Sequence, residues 1–246
     1  MECVATLRRI LLRAALVAVP AALLLGPVSP ERFARAATPV AAVPTAAPAA
    51  PVVLVVGDSL SAGYGIKPQE GWVALLEGRL RTEGYGYRVV NASISGDTTT
   101  GGLRRLPRAL ATHQPAVVII ELGGNDGLRG TPIDVMRRNL VQMIELSQAA
   151  GARVILAGMQ IPTNYGAPYT KAFAGVYPEL AQRYGLPLVP FFLDGVALDP
   201  TLIQADGIHP TAEAQPKLLA NVWPVLRPAL KPARTEAPRP SATAGG

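Results

Sequence analysis

The chain has 246 residues, 49% hydrophobic and 16% charged, which suffices for one α/β domain with terminal extensions and a sizeable core. A single cysteine, Cys3, and two histidines, His113 and His209, exclude an intrachain disulfide and a histidine-rich metal site. The net charge of +6 sits at the ends: residues 1–36 carry five Arg and two Glu, and residues 227–246 carry four basic residues and one Glu. The body between them holds 14 basic and 14 acidic residues, so its neutrality argues against a nucleic-acid partner.

In chain order, residues 1–36 read as an export signal. Arg8, Arg9 and Arg13 precede an apolar run from Ala14 to Val28 that is interrupted by Pro20. At 15 residues it falls short of the roughly 20 that a spanning helix needs. Ala34-Arg35-Ala36 fits a small-x-small cleavage site, and the alternative is a retained membrane anchor. Residues 37–51, "ATPVAAVPTAAPAAP", form an Ala/Pro-rich linker. The body, 52–228, alternates strand and helix patterns. Strands are predicted at 52–56, 87–91, 116–122, 152–158 and 186–191, and helices at 70–83, 100–112, 132–149, 170–184 and 212–226. The helix at 132–149 is expected to take Thr131 as its cap and Pro132 as its first residue, and Thr211 is expected to cap the last helix. Residues 229–246 read as a disordered Pro-rich tail. Alternating β and α with short links implies an α/β fold with a five-stranded parallel sheet covered on both faces.

In such sheets ligands bind at the carboxyl ends of the strands, and the unusual residues follow strands. "VVLVVGDSLSAGYG" runs from a buried β-branched strand into Gly57-Asp58-Ser59. "NASISGDTTTGG" brings Gly96 and Asp97, "ELGGNDGLRG" brings Asn125 and Asp126, and "DGIHP" brings Asp206 and His209. Singly, each is ordinary turn or cap chemistry. Together they supply the parts of acyl transfer. A serine attacks an acyl carbon only if a base takes its proton, imidazole suits that role near neutral pH, and a carboxylate fixes the imidazole tautomer. Ser59 is the expected nucleophile, with Ser61 the nearby alternative, better read as a helix-start residue. Asp206 and His209, three residues apart, place a carboxylate against the ring. Backbone N–H groups of Ser59 and Gly96 and the Asn125 amide are the expected oxyanion donors. Gly96 is expected to be glycine because a side chain there would crowd the reacting centre. His113 falls at the end of a helix before strand three, away from this edge. This chemistry calls on no metal and no cofactor.

These segments resemble the four blocks of the SGNH or GDSL hydrolase superfamily, and more closely its bacterial thioesterase I / lysophospholipase L1 / arylesterase branch. "GDSLSAGYG", "VVNASISGDTTTGGLRRLP", "ELGGNDGLRG", "NYG" and "ADGIHPTAEAQP" carry the likeness over about residues 52–228. The resemblance implies a flavodoxin-like three-layer α/β/α sandwich and a periplasmic or secreted esterase with broad acyl preference. It also implies Ser59 as nucleophile, Gly96 and Asn125 as oxyanion donors, and Asp206 and His209 as partners. No GxSxG elbow is present, which argues against the other α/β-hydrolase fold despite the same Ser…Asp…His order.

The expected activity is hydrolysis of carboxylic ester or acyl-thioester bonds through an acyl-enzyme on Ser59. Substrates are small acyl esters, acyl-thioesters or lysophospholipids, the last compatible with transient contact at a membrane surface; the sequence sets no oligomeric state. The loops 128–132 and 159–170 are apolar enough for an acyl cleft, with Leu128, Ile161, Pro162 and Tyr165 as lining residues, or are simply well-packed loops. Rival readings are a carbohydrate O-acetylesterase and a non-catalytic envelope binding domain.

Overall fold

Val52–Gly57 (β1) is buried at all six positions, as expected of a short β-branched run with helices over both of its faces. A computed structural model describes residues 49–231. The leader 1–36, the linker up to residue 48 and the tail from 232 lie outside the described residues. β1 is followed by a four-residue helix, Ser59–Ala62 (α1), and by Trp72–Thr82 (α2), Arg88–Asn91 (β2) and Thr99–His113 (α3). Val117–Glu121 (β3), Gly124–Leu128 (α4), Ile133–Ala149 (α5) and Arg153–Ala157 (β4) come next. Ala167–Tyr184 (α6), Leu188–Val189 (β5) and Gln215–Leu226 (α7) complete the order. The five strands form one parallel sheet in the order β2-β1-β3-β4-β5. α2 packs on α7, while α3, α5 and α6 pack in succession, so the sheet is sandwiched between two helical layers. β1 and β3 are neighbours whose following connections run in opposite directions. The crevice that this opens at their carboxyl ends is where such sheets bind ligands.

Most predicted elements stand within one or two residues of the expected bounds, and the departures have local causes. β5 is two residues instead of six because Pro187 and Pro190 bracket it and neither carries an N–H for the ladder. The helix predicted from 132 begins at Ile133, with Pro132 at the cap position and no side-chain capping bond. Thr131 instead spends its backbone N–H on the carbonyl of Asp126, at 2.9 Å. The last helix begins at Gln215, so Thr211 opens a preceding turn, and its buried hydroxyl has no hydrogen-bond partner within range among the described residues. α1 and α4 were not predicted; both are single turns directly after a central strand, too short for any periodicity to register.

The packed domain also extends past residue 228. Ala229 and Leu230 are buried, the Arg153 Nη1 donates to the Ala229 carbonyl at 2.8 Å, and the Lys231 N–H donates to the Tyr87 hydroxyl at 3.1 Å. At the other end Pro51, read as linker, accepts from the Arg88 N–H at 2.9 Å and so already belongs to the sheet.

Candidate active site

Ser59 is the first residue of α1, and Asp58 caps that helix by accepting the Leu60 N–H at 3.0 Å. The buried strand thus delivers the serine hydroxyl to the sheet's carboxyl edge on a fixed turn. The Nε2 of His209 lies 2.9 Å from Ser59 Oγ, and its Nδ1 lies 2.6 Å from Asp206 Oδ2. A carboxylate can only accept, so Nδ1 carries the proton and Nε2 is left to accept from the serine. Asp206 Oδ1 also accepts the N–H groups of Ile208 and His209, at 2.9 and 3.0 Å. The His209 N–H, the His209 ring and the Ile208 N–H hold the Asp206 carboxyl down to about 2. An antiparallel bridge between Ile203 and Pro210 closes this loop.

A second carboxylate approaches from below. Asp58 is 2% exposed, and burial pushes its carboxyl up to about 6, against the Leu60 N–H, the Asn125 amide and, when the ring is protonated, His209, which all lower it. Beneath it Glu121, the last residue of β3, is fully buried. Burial first, and then the Asp58 charge, raise its carboxyl well above the usual range. Its Oε2 accepts from the Ser61 hydroxyl at 2.6 Å, and Ser61 accepts in turn from the Trp72 indole N–H at 3.2 Å. Ser61 is therefore occupied inside the core, and Ser59 alone of the two faces the imidazole. Gly57 owes its identity to this floor: a Cβ there would stand 2.6 Å from Glu121 Oε2 and 2.8 Å from Ser61 Oγ.

The Asn125 Nδ2 donates to Asp58 Oδ2 at 3.2 Å. One of its two N–H bonds is thus spent on orientation and the other is free to point elsewhere. Gly96 has a φ of 77°, in the left-handed region that favours glycine. The expectation that a side chain at Gly96 would crowd the centre is not met, since a Cβ there would find only Arg129 Nη2, at 3.9 Å. Glycine is required there by backbone conformation. Asp97 and Asp126 serve the frame. Asp126 accepts both the N–H and the hydroxyl of Thr99, at 2.7 and 2.6 Å, and Asp97 pairs with Arg105 at 2.6 Å. Arg105 also donates to the carbonyls of Gly57, at 3.0 Å, and Ala92, tying the Ser59 turn to the Gly96 loop.

The four cleft residues fare unequally. Leu128 is half-buried and Pro162 exposed. Tyr165, 38% exposed, donates its hydroxyl to the Leu128 carbonyl at 2.9 Å. Ile161 is a correction: it is buried in the core, filling the space over Gly127 beside Phe173, and supports the loop without lining its surface. His113 ends α3, away from the carboxyl edge. Among the functional positions, Glu121 was passed over because it sat inside a strand pattern. Its signal was a lone acid at the end of the apolar run "VVII", where only a paired or neutralised carboxyl is tolerated.

Hydroxyl, imidazole and carboxylate in hydrogen-bonded series at this edge are the arrangement of a serine hydrolase. The GDSL-like Lipase/Acylhydrolase family model matches residues 55–215. The chain is 57% identical over 182 residues to Esterase TesA of Pseudomonas aeruginosa, covering 74% of this chain and 90% of that one. It is 47% identical over 170 residues to Thioesterase 1/protease 1/lysophospholipase L1 of Escherichia coli (strain K12), covering 69% and 80%. A crystal structure of TesA superposes with a TM-score of 0.71 at 56% identity, over 73% of this chain and 99% of the other. The chain belongs to the GDSL-like lipase/acylhydrolase family, and it is an acyl hydrolase.

Proposed function

We propose that the protein hydrolyses carboxylic esters and acyl-thioesters, lysophospholipids among them, through an acyl-enzyme on Ser59. The observation that carries this reading is the unbroken series Ser59 Oγ–His209 Nε2 and His209 Nδ1–Asp206 Oδ2, at 2.9 and 2.6 Å. In the first half-reaction Ser59 Oγ bonds to the acyl carbon while His209 takes its proton. The carbonyl π pair moves to oxygen, and the tetrahedral oxyanion accepts from the Ser59 and Gly96 N–H groups and the free Asn125 N–H. Collapse breaks the bond to the alcohol or thiol, which leaves with the His209 proton. Water then repeats the sequence on the acyl-enzyme, releasing the acid and restoring Ser59. Asp206 holds the ring's tautomer and offsets its transient charge. The names of the esterase and thioesterase relatives support this bond class. The rim of Leu128, Pro162 and Tyr165, propped by Ile161, is the acyl-binding side.

A fluorophosphonate should add once, at Ser59, and Ser59→Ala should abolish both labelling and turnover while melting normally. A mass adduct on Ser61 would reassign the nucleophile. A panel of p-nitrophenyl esters, acyl-CoAs and a lysophospholipid of varied chain length ranks the substrates. The basic, apolar start of the sequence supports export to the periplasm or medium. The exported protein should lack Cys3 and be inert to thiol reagents; retention of Cys3 in its intact mass would mark an uncleaved anchor.

A further inference from the structure

We infer that Tyr64 is a positioning residue for the base, its aromatic face stabilising the His209 ring while that ring holds the Ser59 proton. The inference rests on the assignment of His209 as base made above. Both ring nitrogens of the imidazole are spoken for, Nδ1 by Asp206 and Nε2 by Ser59, and its faces remain open to a further partner. Tyr64 lies against one of them, with ring centroids 4.4 Å apart and planes inclined by 38°.

The chain is built to put it there. Ser59 opens α1 and Gly63 closes it; the Tyr64 N–H then returns to the Ser59 carbonyl at 3.1 Å. On the other side the Tyr64 carbonyl accepts from Gln204 Nε2 at 2.8 Å. The same Gln204 Nε2 donates to the Pro210 carbonyl at 2.9 Å, and the Gln204 N–H donates to the His209 carbonyl at 2.7 Å. One short helix therefore presents two side chains to one imidazole, the hydroxyl of its first residue and the ring just beyond its end. Gln204 locks that helix to the loop that carries the histidine. Tyr64 is 53% exposed, so its ring is not there to fill the core.

A cation within about 6 Å of an aromatic centroid is attracted by the ring's quadrupole. In the resting site His209 has no positive charge for Tyr64 to attract; it gains one only as Ser59 Oγ attacks. The contact therefore strengthens between ground state and transition state, and its loss falls on kcat and not on KM. The acidic groups around the ring, Asp206 at its edge and Asp58 beneath, remain unchanged when Tyr64 is altered.

The test is kcat and KM on a short p-nitrophenyl ester, with thermal melts alongside. Tyr64→Phe should keep kcat within about twofold, and Tyr64→Leu should lower it roughly two- to fivefold at unchanged KM, the 0.5–1 kcal/mol of an exposed cation–π contact. Phenylalanines carrying one, three and five fluorines, placed at position 64, should lower kcat stepwise, because fluorine drains the face without changing the packing much. A flat fluorine series, or a loss confined to KM, overturns the inference and leaves Tyr64 as a packing or leaving-group contact. His209→Ala in the same assay separates the two levels. If it retains near-normal turnover, the base assignment falls and the inference with it; if it is inactive and the fluorine series is flat, only the inference about Tyr64 falls.

Discussion

Two carboxylates flank the Ser59 turn, and their surroundings pull them in opposite directions. Asp206 stands on an open loop, 37% exposed, accepting from two backbone N–H groups and an imidazole; its carboxyl is held down to about 2. Asp58 lies under the turn with little access to water, and burial lifts it to about 6. Glu121 below it is raised in the same direction, by burial and by the Asp58 charge. The loop keeps a permanent charge where an imidazolium must be matched. The floor holds its acids where burial disfavours their charge, Glu121 most of all, and uses them as hydrogen-bond acceptors. The same residue type serves as counter-charge in one place and as a hydrogen-bonding brace in the other.

The largest effects should come from the loop side. Ser59→Ala and His209→Ala should lower kcat by roughly 10⁴–10⁶, and Asp206→Asn by a smaller factor, because the carboxylate orients the base without moving a proton. Equal losses at Asp206 and His209 in steady-state assays would break the division of roles. Next comes the bond from the floor to Asn125 on α4. Asn125→Ala should lower kcat by roughly 10²–10³ with KM little changed. Asp58→Ala, which removes the acceptor that orients the Asn125 amide, should cost less than Asn125→Ala and in the same parameter. Near-normal kcat in a folded Asn125→Ala protein would remove it from the oxyanion set.

The deeper floor, Ser61 and Glu121, should respond in stability and not in rate. Ser61→Ala strands the Trp72 indole N–H and leaves Glu121 Oε2 only the longer bond from the Asp58 N–H, at 3.4 Å. It should lower stability by about 1–3 kcal/mol, a fall in Tm of roughly 3–10 °C for a domain of this size, with kcat preserved. The subtlest effect is a contrast in pH slopes. A depressed carboxyl stabilises the fold above the unfolded value of about 3.9 and loses that contribution as pH falls. The Tm deficit of Asp206→Asn should therefore shrink between pH 4 and pH 2. A raised carboxyl penalises the fold as it ionises, so Asp58→Asn should gain on the wild type as pH rises from 4 to 6 and then level off. Parallel slopes in melts across both windows would erase the distinction between loop and floor.

Much of this was legible in the sequence because apolar runs and turn residues speak for themselves. "VVLVV" and "VVII" read as buried strands, and the polar residues of the loops, each ordinary in a turn, together supplied the parts of acyl transfer. Ser59, Asn125, Asp206 and His209 stood out on those grounds, and the structure brings all four to one edge. The floor did not stand out, because burial is not written in residue type. Asp58 read as a turn residue and Glu121 as the last letter of a strand; only the fold puts one over the other. Tyr64 and Gln204 are 140 residues apart in the chain, and no local pattern joins them. Ile161 failed for the opposite reason, since an apolar residue in a loop looks the same whether it lines a cleft or underlies it.

The space above the Gly57 Cα bears on how this chain can change over time. Any Cβ at position 57 meets the carboxyl of Glu121 and the side chain of Ser61 within 2.8 Å, and neither belongs to a freely moving chain end. Alanine at 57 becomes acceptable only in a background where 61 and 121 have already shrunk. That background has left the Trp72 N–H and the floor of the Ser59 turn without partners, at a cost that comes before any benefit. Substitutions at the three positions are therefore strongly non-additive, and a lineage that starts from this arrangement has no downhill first step away from it.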